Sequence, residues 1–300
     1  MKKLFVSTAC LRGDKNYNRV LDTYIEAGIK NIELTGVHPF LQFNELKDLI
    51  NEYKLHEVDF TFHNYYPPPE SPIVMNMLSQ NKKDRDNSKK IITNAVELAK
   101  LTNTKVFAFH PGYLREADVN EKGYFKFKGN ERISFEKGLE VYRDDFFDLY
   151  KSLDIGNDIF IGLENLFPNE DGTNDSFMCT FDEINKLFNF DKVKELNLFL
   201  LLDLGHLAIS SNLLNFDRYD FLEKCIDNFG DKILEIHISN NDEKRDLHSR
   251  ITKDCWQLSY LKNFISTGPK PDNTIFTYES RGLTIEEIKG DCDLIKSSLN

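Results

Sequence analysis

The sequence predicts an α/β fold, a single (β/α)8 TIM barrel, from three observations. Short β-rich runs alternate with helical patterns eight times along the 300 residues. Such alternation implies parallel strands joined by helical crossovers, and eight units close into a barrel of typical size about 250 residues. The rival architecture is an open doubly wound sheet, and its usual GxGxxG after the first strand is missing. No linker, low-complexity tract or repeat motif interrupts the series. One barrel domain is therefore expected over residues 1–300, with a small insert near 116–132.

The elements follow in order. Lys3–Thr8 is rich in Phe and Val and reads as the first strand; Tyr17–Ala27 is a helix closed by Gly28. Asn31–Leu34 is a strand and Glu45–Tyr53 a helix. Val58–Phe62 alternates apolar and polar residues, and a long helix from about Asp84 to Leu101 carries Ile91, Ile92, Ala95, Leu98 and Ala99 at helical spacing. Lys105–Phe109 is the fourth strand. Within Glu116–Arg132, the run Tyr124-Phe125-Lys126-Phe127-Lys128 suggests a hairpin. Phe135–Leu153 reads as one helix and Asp158–Leu163 as the fifth strand. Thr180, with Glu183 three residues on, caps a helix over Phe181–Phe188. Leu198–Leu202 is the sixth strand, and the helix Tyr219–Phe229 ends at Gly230. Ile233–Ile236, the helix Cys255–Ile265, Thr274–Tyr278 and the helix Ile285–Leu299 complete the barrel.

Composition narrows the function classes. At 40% hydrophobic the chain can bury a full core, yet its longest apolar run, Leu198 to Leu202, is far short of the roughly twenty residues of a membrane span. The N-terminal Met1-Lys2-Lys3-Leu4 reads as strand entry, not a signal peptide. Five cysteines (Cys10, Cys179, Cys225, Cys255, Cys292) lack CxxC spacing, so reduced thiols and a cytoplasmic location are expected. A net charge of −11 argues against general nucleic-acid binding, which draws on Lys and Arg. Locally, Arg12, Lys15, Arg19, Arg115, Arg245, Arg250 and Arg281 fall in loops that could make one face positive. No partner subunit or oligomeric state is implied.

The chemistry gathers at strand ends. In a barrel of this kind the active site lies at the C-terminal ends of the strands. The predicted third and fourth strands end at His63 and His110, the fifth at Glu164, and the sixth at Asp203 with His206 three later. The seventh ends at His237, followed by Asp246 and His248, and the eighth at Glu279. Five of the seven histidines are in this set; His38 and His56 read as a loop and a strand-entry residue. Burying Glu164, Asp203, Asp246 and Glu279 together, with Asp242 at the rim, is costly without cations. Mixed His and carboxylate donors suit Zn, Mn or Fe better than Mg or Ca, and so many donors suit two or three ions.

These motifs resemble the endonuclease IV branch of the xylose-isomerase-like barrels. The similarity runs through Met75-Asn76-Met77-Leu78-Ser79, Arg85, Ser88 and Phe109-His110-Pro111-Gly112. It continues through Asp203-Leu204-Gly205-His206, His237-Ile-Ser-Asn-Asn-Asp and Asp246-Leu247-His248. The resemblance implies a trinuclear zinc phosphoester hydrolase with Glu164, Glu279 and His206 catalytic and abasic DNA as one substrate. The substrate loops differ. Thr8-Ala9-Cys10-Leu11-Arg12-Gly13 replaces a glycine-rich opening, a rigid Pro-rich insert follows His63, and Ser249-Arg250-Ile251-Thr252 replaces a glycine-containing turn. Tyr65, Tyr66, Arg250 and Arg281 are the expected substrate contacts, for a phosphorylated small molecule, a sugar or DNA. Other members of the superfamily imply an alternative, a sugar or sugar-phosphate isomerase or epimerase. It would use one metal on Glu164, Asp203, His237 and Glu279, with the two glutamates moving protons. A third possibility is a barrel that retains the ligands for stability alone.

Overall fold

Eight parallel strands close into a barrel in the computed structural model, which describes residues 2–119, 125–156, 158–267 and 274–299. In chain order the strands are β1 (Leu4–Ser7), β2 (Asn31–Leu34), β3 (Asp59–His63), β4 (Val106–Phe109), β5 (Arg115–Val119), β6 (Phe125–Arg132), β7 (Phe160–Glu164), β8 (Leu198–Asp203), β9 (Ile233–Ile238) and β10 (Ile275–Tyr278). The barrel runs β1-β2-β3-β4-β7-β8-β9-β10 and back to β1. The antiparallel pair β5–β6 stands outside it as the expected hairpin; Tyr124 lies outside the described residues. Register levels the strand tips: Asp203 pairs with His237, His237 with Thr277, and His63 with Ala108.

Local signals explain most helix ends. Asn16 caps the helix Tyr17–Glu26 by accepting from the Arg19 amide, and Thr180 with Glu183 forms a full capping box on Phe181–Phe188. The stretch expected as one helix over 135–153 is instead broken by a π turn at Tyr142–Phe146. Both rings are buried there and stack at 4.8 Å, so aromatic packing fills the wider turn. The helix Leu204–Leu213 has no counterpart in the sequence reading. Leu204 through Ser211 are all buried, so it has no polar face to generate a helical period. Among the described residues all five cysteines are free and buried, and no helix is long and apolar enough to cross a membrane.

Two expected substrate contacts belong to the scaffold. Tyr66 is fully buried, with its ring tilted against Phe62 at 4.8 Å. Its neighbour Tyr65 keeps some exposure, so of the two rings only Tyr65 can meet a ligand. Arg250 points outward and clasps the helix Ile285–Leu299: Nε and Nη2 donate to Asp291 at 3.0 and 2.8 Å and Nη1 to Glu287 at 3.0 Å. Asp291 is 1% exposed, so the guanidinium satisfies a buried carboxylate.

Removing these two side chains should act on stability. Tyr66→Ala is expected to cost about 3–5 kcal/mol through the cavity it leaves. Arg250→Ala, which takes a partner from buried Asp291, is expected to cost about 1–3 kcal/mol. Urea unfolding monitored by circular dichroism measures both; an Arg250→Ala protein of unchanged midpoint and reduced substrate affinity would return Arg250 to the site.

Candidate metal centre

Glu164 ends β7 in the middle of the barrel mouth and is fully buried. Neither of its oxygens has a hydrogen-bond partner among the described residues. Four imidazoles surround it instead. The Nε2 atoms of His110 and His63 lie 3.1 and 3.4 Å from Oε2, and Nδ1 of His206 and of His237 lie 3.2 and 4.0 Å from Oε1. The His63 and His237 rings, from opposite walls, have centroids only 4.7 Å apart.

On the β8 side, one carboxylate serves two purposes. Asp203 Oδ1 accepts the His206 amide at 2.6 Å and so caps the helix Leu204–Leu213, while Oδ2 is buried without a hydrogen bond and lies 3.7 Å from His237 Nδ1. Gly205 is required between them: a Cβ there would collide with Ser239 Oγ and come within 3.1 Å of Asp203 Oδ1. His206 Nδ1 lies 2.9 Å from the Asn165 carbonyl, and His248 Nδ1 lies 3.2 Å from the Glu279 carbonyl. A carbonyl can only accept, so each Nδ1 carries a proton and Nε2 is the nitrogen left to meet an ion. Both Nε2 atoms face Asp246, at 3.6 and 2.9 Å.

Three donor groups therefore sit side by side. His63 and His110 meet Glu164 on the β3–β4 side. Glu164, Asp203, His237 and Glu279 form the middle, with His237 Nδ1 2.9 Å from Glu279. His206, Asp246 and His248 form the far side. Asp242, expected at the rim of this cluster, instead accepts from the Arg245 guanidinium.

The electrostatics are those of a site short of positive charge. Burial acts against protonating His206 and His237, yet Asp203 and Glu164 around the first, and Glu33 and Glu235 around the second, hold both well above the usual imidazole range. His248 is pushed up to about 9 against burial, chiefly by Asp246. His63 goes the other way, lowered by burial to about 4. Buried carboxylates with unused lone pairs, interleaved with imidazoles whose free nitrogens converge on them, have the donor chemistry of divalent-ion sites, and the residues present fit such ions.

Below this layer lies a polar tier that sequence reading missed. Glu33 of β2 and Glu235 of β9 are fully buried, and their oxygens lie 3.0 and 3.4 Å from His237 Nε2. The Thr277 hydroxyl donates to Glu235. Burial pushes Glu33 up to about 8, with His237 opposing. Alternation along β2 and β9 is the one sequence signal that would have turned both glutamates inward.

Above the centre opens a cavity of about 950 Å³. His63, His110, His206, Asp246, His248 and Glu279 form its floor. Pro68, Pro69 and Pro72 of the Pro-rich segment wall one side, and Phe125 and Phe127 of the hairpin, packed on Tyr113 at 4.9 and 5.7 Å, wall another. Tyr65 and Arg281 line it too; the Tyr65 hydroxyl accepts the Met75 amide at 3.1 Å, and Arg281 lies 3.6 Å from Asp246. His38, expected as an ordinary loop residue, is buried in the wall, stacked on Tyr17 at 4.2 Å. Of the seven loop cations expected at the mouth, Arg245 and Arg281 line the cavity. Lys15 is instead tied to the Thr8, Ala9 and Leu11 carbonyls, Arg115 to Asp175, and Arg19 to Asp14.

Several solved structures share this fold. A D-tagatose 3-epimerase-like protein superposes with a TM-score of 0.72 at 20% identity, over 100% of this chain and 97% of its own. The IOLI protein with a bound zinc atom gives 0.69 at 17%, covering 100% and 98%. Endonuclease IV from Thermus thermophilus gives 0.63 at 13%, covering 100% and 99%. No curated protein matches the sequence. At these identities the superpositions establish the fold and leave the chemistry open. The family itself rests on sequence: its profile matches residues 21–269, and the chain belongs to the xylose isomerase-like TIM barrel family.

Proposed function

We propose that this protein is a metal-dependent phosphoester hydrolase that holds two or three divalent ions, zinc first among them, and acts on a phosphorylated small molecule. The observation that carries the reading is that donors converge in more than one place: His63, Glu164, His237 and Glu279 in one cluster, Glu164, Asp203 and His206 in a second, and His206, Asp246 and His248 in a third, with His110 3.1 Å from Glu164. In this reading His63, His110 and Glu164 hold one ion. Glu164, Asp203, His237 and Glu279 hold a second, and His206, Asp246 and His248 a third. Manganese or iron would satisfy the same donors.

Divalent ions bound there supply Lewis acidity toward a phosphoryl oxygen and a water made nucleophilic near neutral pH. The chain does the rest. Glu164 and Glu279 keep the centre anionic enough to hold several cations, and the Glu279 carbonyl fixes His248. His206, tied to Asn165 through Nδ1 and 4.7 Å from the Phe167 ring at the cavity edge, presents Nε2 to the third ion beside the group being cleaved. Arg281 at the rim meets phosphate, and Tyr65, whose hydroxyl already accepts one amide, can donate its proton to substrate. The Pro-rich wall and the aromatic hairpin narrow the mouth, and the chain is net acidic, which together favour a small substrate over duplex DNA.

A second reading, a sugar or sugar-phosphate isomerase or epimerase, has its own support. The middle group alone could hold a single ion between two glutamates, Glu164 and Glu279. Several of the similar structures are named for sugar 3-epimerases. There Glu164 and Glu279 would pass a proton on either side of one carbon.

Metal content and one variant separate the two. Elemental analysis of protein purified without chelator is expected to give at least two equivalents; one or fewer favours the epimerase. His110→Ala is expected to lose one ion and roughly 100-fold or more in kcat on a phosphoester panel with its fold intact. If that variant loses an ion and keeps full turnover on a phosphoester, the multi-ion mechanism fails; if it only raises KM in ketose epimerisation, the hydrolase reading fails. Abasic duplex at low salt should show no binding, whereas affinity falling steeply with added salt would make DNA the substrate.

A further inference from the structure

We propose that Glu33 is a positioning residue for the metal centre, holding His237 by the ring nitrogen that faces away from the ions. The proposal rests on the multi-ion reading above. Neither β1 nor β2 contributes any of the nine donors, and Glu33 lies on β2 with no other evident task.

His237 has two chemically distinct sides. Its Nδ1 looks up toward Glu279, Asp203 and Glu164, at 2.9, 3.7 and 4.0 Å. Its Nε2 looks toward Glu33 and Glu235. For Nδ1 to coordinate an ion, Nε2 must carry the proton, and an N–H inside a barrel needs an acceptor. Glu235 Oε1 already accepts from the Thr277 hydroxyl and stands the farther of the two. Glu33 is nearer, at 3.0 Å, and neither its oxygens nor His237 Nε2 has a hydrogen-bond partner among the described residues, so the two are placed to pair once Nε2 carries the proton.

That arrangement has no structural rationale of its own. A carboxylate buried without hydrogen bonds, beside a second carboxylate, works against folding. What it can do is fix the His237 tautomer and make Nδ1 a stronger donor, as carboxylates behind metal-bound histidines do.

Separate effects on metal binding and on metal-free stability test this. Wild type, Glu33→Gln, Glu33→Ala and Glu235→Gln are stripped of metal. Each is then titrated with zinc against a competing chelator and melted without zinc. Glu33→Ala is expected to weaken the ion on His237 by roughly 10–100-fold at unchanged total stoichiometry under saturation. Glu33→Gln, whose amide oxygen can still accept from Nε2, should fall between Glu33→Ala and wild type, and Glu235→Gln should change affinity least. Metal-free Glu33→Gln should melt near the wild-type temperature, because glutamine keeps the size and an acceptor oxygen of the buried side chain. Unchanged zinc affinity in Glu33→Ala overturns the proposal. A fall in affinity that tracks a fall in the metal-free melting temperature of Glu33→Gln overturns it in favour of a structural role. Loss of one whole equivalent at saturation would make Glu33 a ligand rather than a positioner. A wild type that binds no zinc overturns the multi-ion reading and this proposal with it.

Discussion

The structure turns on one unfavourable placement, the Glu164 carboxylate buried at the centre of the barrel with no hydrogen-bond partner for either oxygen among the described residues. Apolar packing cannot compensate a buried charge. The remaining way to stabilise it is positive charge at close range, and four histidines stand around it to hold that charge. The other donors extend the same demand outward, as each added carboxylate raises the cost of leaving the centre without cations.

The barrel makes this placement possible by sharing it among elements. Donors arrive from six strand ends levelled by register, and Asp203, His206 and His248 are further fixed by backbone partners, so no single loop has to carry the geometry. Phe60, Phe62, Phe107 and Phe276, one residue out of step with the inward-facing positions, are buried between strands and helices and give those strand ends a rigid base. The loops above are free to vary, and here they supply the Pro-rich wall and the aromatic hairpin.

Much of this was legible in the sequence because strands end where polarity begins. β2 and the helices Phe181–Phe188 and Ile285–Leu299 fall at the expected residues, and the nine donors sit at or just beyond strand ends. What stayed hidden needed three dimensions. Glu33 and Glu235 look like surface glutamates until the barrel closes around them. The helix Leu204–Leu213 is buried all round and has no period to read. Tyr66 and Arg250 have the chemistry of substrate contacts, but side-chain direction, set by the segment after β3 and by the acidic face of the last helix, turns one inward and the other outward.

The double duty of Asp203 reaches beyond coordination. One of its oxygens is pledged to the first turn of the helix that carries His206, whatever occupies the other. The positive end of that helix keeps the carboxylate anchored when no cation is present. Two donors, one before the helix and one in its first turn, thus keep their spacing whether or not an ion is bound. An ion arriving at this pair would meet donors already set in place, with no rebuilding of the protein around it.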